Sequence, residues 1–271
     1  MNTTSMLPAL FVSHGSPMLA IEPGSTGPAL TAWGQRLQAQ GARAVVIMSP
    51  HWMSDVPTVM THPAPQTWHD FGGFPDALYR LQYPAPGSPV LAEAVRHRLS
   101  TAGWTAKTDE RRPFDHGAWV PLSFLFPQAD VPVVQLSLPA SASPAEVYDL
   151  GQALGDLRQQ GVVLIGSGSM THNLGEFFGG RPAHGASPAP YVVAFSQWVE
   201  NALREGDRAR LFDYRRYAPD AVRAHPTDEH FLPMFFALGA AGWGQADGPL
   251  PEYISREVTY RFLSMDAFAL G

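Results

Sequence analysis

Histidine carries most of the chemistry this sequence can offer. His14 follows an apolar run at 8–13, His51 follows another at 44–49, and His172 comes two residues after the run 162–170. A fourth stretch, 224–233, holds His225 and His230 with carboxylates between them. Neutral imidazole is the commonest protein ligand for metals. With no cysteine in the chain, any metal must be held by imidazole and carboxylate. Three side-chain ligands beside an open position make a catalytic site rather than a structural one. Singly, each histidine reads better as a satisfied structural residue than as a ligand. Together, His14, His51, His172 and His230 point to convergence on one divalent cation. His225 and His230 are five apart, which on one helix would turn them to different faces, so only one of them is expected to be a ligand. His230 is expected in the opening turns of a helix over 228–240, directed back toward the strand ends. Asp115-His116 and His69-Asp70 are further candidates, in which the acid either orients a ring or caps a helix or turn. His62, His97 and His184 have surface-like surroundings.

Other chemistries fit less well. Ser13 and Ser16 flank His14, but the Gly-x-Ser-x-Gly pattern of a nucleophile elbow is absent. Gly166-Ser167-Gly168-Ser169 is too short for a phosphate loop and lacks the Lys-Ser/Thr that would follow one. The absence of cysteine excludes disulfides, thiolate nucleophiles and cysteine-held zinc or iron–sulfur clusters. A net charge of −6 argues against nucleic acid, because phosphate binding needs clustered Lys and Arg. The basic groups at 208–216 and 110–112 are short and interrupted by acids. No apolar run approaches the ~20 residues needed to span a bilayer, and no leader-like segment is evident. A soluble, cytoplasmic protein is the expectation.

These side chains need strands that end near one another. Apolar runs at 7–12, 44–49, 131–138 and 162–166 read as buried strands, with weaker ones at 103–108 and 256–263. Pro50, which has no N–H to donate, is expected to end the second. Helices are predicted at 27–40, 88–101, 116–126, 143–160, 189–205 and 228–240. Ser88-Pro89 and Ser143-Pro144 supply starts for two of them. Residues 55–87 read as a long functional loop. Alternating strands and helices give an α/β fold with a mainly parallel or mixed central sheet flanked by helices. Residues 1–271 are expected to form one catalytic domain, with the metal site at the carboxyl ends of the strands.

Eight motifs then occur in a familiar order: His14-Gly15-Ser16-Pro17-Met18, Pro50-His51-Trp52, His69-Asp70-Phe71-Gly72-Gly73-Phe74-Pro75, Tyr83-Pro84-Ala85-Pro86-Gly87, Phe114-Asp115-His116-Gly117, Gln135-Leu136-Ser137, His172-Asn173-Leu174 and Glu229-His230-Phe231-Leu232-Pro233. From about residue 8 to 265 the chain resembles the 4,5-DOPA extradiol group of the class III extradiol ring-cleavage dioxygenases. The resemblance implies metal ligands at His14, His51 and His230. It implies that His172 is the acid/base residue, with a pKa expected near neutrality, and that His116 lies beside substrate and oxygen. More distant class III enzymes use two histidines and a glutamate, and here Glu229 is expected to point away. The implied reaction opens a catechol with O₂ to a muconic semialdehyde. Fe(II) would be the working ion, though three imidazoles suit Zn(II) as well. Trp52, Phe71, Phe74 and Trp119 are candidates to shape the catechol slot. A zinc hydrolase on the same histidines and a non-catalytic binder of aromatic ligands are the rival readings. Oligomeric state is not legible.

Overall fold

A computed structural model of the chain describes residues 6–271, so the first five residues of the expected domain lie outside the described part. The strands are β1 (Ala9–Ser13), β2 (Ala44–Ser54), β3 (Thr58–Met60), β4 (Lys107–Asp109), β5 (Val133–Pro139), β6 (Val162–Gly168), β7 (Glu252–Ser255), β8 (Val258–Thr259), β9 (Leu263–Ser264) and β10 (Ala267–Leu270). Eight of them form one sheet in the order β4-β3-β5-β2-β6-β1-β10-β7, while β8 and β9 pair separately. The central strands β5, β2, β6 and β1 run parallel. β10 and β7 on one side, and β3 against β5 on the other, pair antiparallel, so the sheet is mixed.

The centre is parallel because its strands are apolar on both faces and helices cover both. Along β2, Val46 and Met48 enter one core, and Val45 and Ile47 the other. The helices are α1 (Thr26–Ala39), α2 (Asp76–Tyr79), α3 (Pro89–Thr101), α4 (His116–Leu125), α5 (Pro144–Leu154), α6 (Leu174–Gly180), α7 (Pro190–Glu205), α8 (Arg208–Phe212), α9 (Tyr214–Tyr217), α10 (Ala221–Ala224) and α11 (Leu232–Ala241). α3, α5, α7 and α11 build the first core, and α1 and α4 the second. Helix starts follow local chemistry. Ser88 accepts from Leu91 N, Ser143 and Glu146 form a capping box, and Asp115 accepts from Ala118 N. No helix among the described residues is long and apolar enough to cross a membrane.

Four expectations need correction. β2 does not stop at Pro50 but continues to Ser54. Its pairing with β5 skips from Ser49↔Ser137 to Met53↔Leu138, leaving Pro50, His51 and Trp52 in an irregularity where a missing N–H costs nothing. Residues 225–231 form a turn between α10 and α11, and the helix begins at Leu232 rather than 228, so His230 precedes it. The strand expected at 256–263 is replaced by β8, a turn and β9, and the late strands joining the main sheet are β7 and β10. The loop 55–87 contains β3 and α2.

Candidate metal centre

β1 and β6 end beside the irregular part of β2, and each of the three strands carries or leads to a histidine. His14 leaves β1 with its backbone N donating to Gly168 O at 2.9 Å. His51 sits on the irregular part of β2, and His172 follows β6 with its N donating to Ala224 O at 2.8 Å. His230 arrives from the turn before α11, where its carbonyl accepts from Ser169 N at 2.8 Å. A Cβ at position 168 would lie 2.2 Å from that carbonyl, and one at 166 would lie 1.9 Å from Pro233 O. The Gly-Ser-Gly-Ser segment is therefore the seat of the His230 turn. Gly117 does the same for α4, where a Cβ would meet Ser49 Oγ at 2.3 Å and His51 Cδ2 at 2.9 Å.

Five imidazoles meet. The rings of His14, His51 and His230 form a near-equilateral triangle, with centroids 5.1, 5.0 and 5.5 Å apart. His116 lies 4.0 Å from the His51 ring and 5.4 Å from that of His14. His172 stacks on His230 at 3.5 Å and 11°. Possible donor atoms of His14, His51 and His116 all fall within 4.8 Å of one another, as do those of His172, Glu229 and His230. The triangle spans both groups.

Hydrogen bonds on the outer ring edges decide which nitrogens keep a lone pair. Ser167 Oγ donates to Gly117 O, so it accepts from His14 Nδ1 at 2.9 Å, leaving His14 Nε2 as the bare nitrogen. His14 Nε2 sits 3.1 Å from His51 Nε2. His230 Nδ1 donates to Glu229 Oε1 at 3.0 Å, and its Nε2 is buried without any partner. His116 Nδ1 and backbone N both donate to Asp70 Oδ1 at 2.9 Å. Outer-edge partners of this kind fix tautomer and orientation in metal-binding histidines.

The electrostatics keep His14, His51, His172 and His230 neutral. Burial, then the neighbouring imidazoles, hold His14 and His230 well below the ordinary histidine range. Burial takes His51 to about 4 despite the opposing Asp115 and Asp70 carboxylates. Burial also takes His172 to about 4, against the pull of Glu229, so the expected near-neutral value is corrected downward. Burial pushes Asp70 up, but the His116 hydrogen bonds outweigh it and hold the carboxyl below its usual range. Neutral imidazoles with lone pairs turned inward are what a divalent cation requires.

Several neighbours have roles other than those expected. Asp115 does not orient His116. It caps α4 and receives Ser49 Oγ at 2.8 Å, Arg112 at 2.7 Å and Gln135 Nε2. Asp70 orients His116 instead, across 46 positions of sequence, and its only sequence signal is its place beside His69 in a long loop. Glu229 does not turn away, because being next in the chain lets it fold onto the outer edge of His230. His69 bonds Leu81 O at 3.0 Å and packs against Phe71, Tyr79 and Trp119, tying down the loop. His225 is buried among Phe195 and Phe231 and bonds Met170 O at 2.9 Å.

Beside the imidazoles lies a cavity of about 180 Å³. His51, His116, His172 and His230 form its polar floor, and Phe71, Phe74, Leu174, Phe177, Phe178 and Leu263 its walls. Of the expected aromatic residues, Phe71 and Phe74 line it. Trp52 instead packs against Arg112, and Trp119 is buried with Nε1 donating to Trp68 O. Leu174, Phe177 and Phe178 were not anticipated, although they follow directly on His172-Asn173.

The family described as the catalytic LigB subunit of aromatic ring-opening dioxygenase matches residues 8–264. A 4,5-DOPA dioxygenase extradiol from Beta vulgaris is 41% identical over 239 residues, 86% of each chain. Its namesake from Escherichia coli strain K12 is 38% identical over 274 residues, covering 99% of this chain and 96% of that one. The crystal structure of an uncharacterized protein from Escherichia coli K12 superposes with a TM-score of 0.79 at 30% identity, over 98% of this chain and all of that one. With the resemblance extending through the whole sheet and every histidine-bearing turn, the chain belongs to the LigB family of aromatic ring-opening dioxygenases, within its 4,5-DOPA extradiol group.

Proposed function

We propose that His14, His51 and His230 hold a ferrous ion through their Nε2 atoms, and that the enzyme cleaves a catechol beside its diol to a muconic semialdehyde. One observation carries this reading: a buried, unpartnered His230 Nε2 in a ring 5.5 Å from that of His14, whose outer edge is likewise taken, by Ser167, and 5.0 Å from that of His51. An unpaired buried polar atom is costly unless a ligand completes it. Bound iron would supply a centre that takes both catechol and O₂ and can change oxidation state, which zinc cannot.

The chain's own groups account for binding and proton movement. His172 is neutral at physiological pH, lines the cavity and stacks on His230, so its imidazole is free to accept a phenolic proton. Glu229, which raises the pKa of His172, helps it keep that proton until a product oxygen takes it back. Asp70 holds the Nδ1 edge of His116 and so fixes the ring's orientation in the cavity lining. Phe71 and Phe74 pack edge to face at 5.3 Å and exclude water from one side of the cavity. The proposal treats residues 1–271 as one catalytic domain. It places the enzyme in the cytoplasm, whose reducing poise keeps iron ferrous.

Protein reconstituted with Fe(II) under anaerobic conditions should consume one O₂ per catechol when air is admitted. The relatives' names make L-DOPA the first catechol to offer. Turnover of a hydrolysable ester by zinc-loaded protein without O₂, and no oxygen uptake with iron, would sink the proposal.

A further inference from the structure

His51 is held differently from the other two proposed ligands. Ser167 and Glu229 fix the outer edges of His14 and His230, but the carboxylate nearest His51 Nδ1, Asp70 Oδ2, lies 3.7 Å away, beyond hydrogen-bond reach. The strand gives little help, because the β2–β6 register ends at Met48 and the β2–β5 register skips residues 50–52. Side chains take the ladder's place. Ser49 Oγ accepts from His51 N at 3.3 Å, and Arg112 Nη2 donates to His51 O at 3.1 Å. Both side chains meet at the fully buried Asp115, where Ser49 Oγ donates to Oδ1 at 2.8 Å and Arg112 Nη2 to Oδ2 at 2.7 Å. The same carboxylate accepts from Ala118 N at 3.1 Å and so caps α4, whose first residue is His116. Gly117 packs against Ser49 and His51 with no room for a Cβ. The Arg112 guanidinium lies against the indoles of Trp52 and Trp68, 4.9 and 5.1 Å from their centroids, which limits where it can go.

Resting on the reading of His51 as a metal ligand, we propose that Arg112 is a positioning residue for the metal centre. Through Asp115 and Ser49 it clamps the broken part of β2 to the start of α4, and so holds the His51 imidazole in place beside His116. The clamp acts on the backbone, and does for His51 what outer-edge hydrogen bonds do for the other rings. A pair that served stability alone would leave metal affinity untouched in whatever protein remains folded.

The test titrates metal-free protein with zinc against a competing chelator, records thermal unfolding alongside, and takes the visible spectrum of the cobalt-loaded form. Arg112→Met should raise the zinc dissociation constant about 10–100-fold and alter the cobalt spectrum. Arg112→Lys should recover a good part of that loss, because a single nitrogen, Nη2, makes both bonds. Ser49→Ala keeps the Arg112–Asp115 pair and should still weaken zinc several-fold, which carries the test if Arg112→Met does not fold. Parent-like zinc affinity and cobalt spectrum in folded Arg112→Met, or in Ser49→Ala, would overturn the clamp whatever the loss of thermal stability. Arg112→Lys no better than Arg112→Met would overturn the assignment of the effect to the Nη2 bonds. His51→Ala separates the two levels. If it binds zinc as tightly as the parent, the ligand set itself is wrong. If it loses zinc while the clamp variants do not, only the inference about Arg112 is lost.

Discussion

The two ends of the central sheet both bury polar groups, and they treat them in opposite ways. At the amino end of β1 and β6, Arg158 is 4% exposed and each nitrogen of its guanidinium donates to a carbonyl. Nε donates to Leu7 O, Nη1 to Ala240 O at 2.9 Å and Nη2 to Leu270 O at 3.3 Å. Burial lowers its pKa to about 10, which still leaves it charged at neutral pH. One side chain thus ties the start of β1, the end of α11 and the end of β10. At the carboxyl end, His14, His116 and His230 are held by their Nδ1 edges while the inner nitrogen His230 Nε2 is left without a partner. A buried charge with every nitrogen paired ties strands together at one end, and an unpartnered imidazole nitrogen among other imidazoles offers a ligand position at the other.

The comparison breaks most visibly at His230. His230→Ala should leave metal analysis near zero and reduce oxygen uptake by about a thousandfold or more, whereas His172→Ala should retain metal and lose turnover. If His172→Ala stripped the metal, the assigned roles would have to be exchanged. Asp70→Ala should weaken activity by about 10–100-fold through a misoriented His116, with the far-ultraviolet spectrum unchanged. At the opposite end the readout should reverse. Arg158→Met should cost about 3 kcal/mol in denaturant unfolding, because three buried carbonyls lose a charged donor, while kcat of the folded fraction stays the same. A large fall in kcat with unaltered stability would erase the distinction between the two ends.

The smallest expected effect concerns Asp266, on the site's side of β10. Burial raises its carboxyl from 3.8 to about 6, with Ser264 Oγ donating to it at 2.9 Å. A folded pKa above the unfolded one means that the native state holds the proton more tightly. Stability should therefore fall as pH rises from about 4 through about 6. Asp266→Asn should flatten that part of the pH profile and gain on the order of 2 kcal/mol at pH 7, measured by urea titration at several pH values. A variant whose profile matched the parent's would show that Asp266 is ionised without penalty.

Much of this architecture was legible in order along the chain. Continuous apolar runs marked the parallel strands because both of their faces are covered, and Ser88-Pro89 and Ser143-Pro144 marked helix starts because capping is a local interaction. Pro50 misled because local chemistry forbids a paired proline but does not forbid an unpaired bulge within a strand. The strand at 256–263 was misplaced because the antiparallel pairing beside β1 depends on which distant segment arrives there. Asp70 and Asp115 show the limit most clearly. Each stands next to a histidine in sequence, yet Asp115 caps α4 and Asp70 orients a ring 46 residues away. The sequence by itself determined that imidazole and carboxylate were the available ligands, and that several histidines follow apolar strands. Only the tertiary structure decided which nitrogens keep their lone pairs and what lines the cavity beside them. Both depend on hydrogen bonds and packing between segments that no local pattern connects.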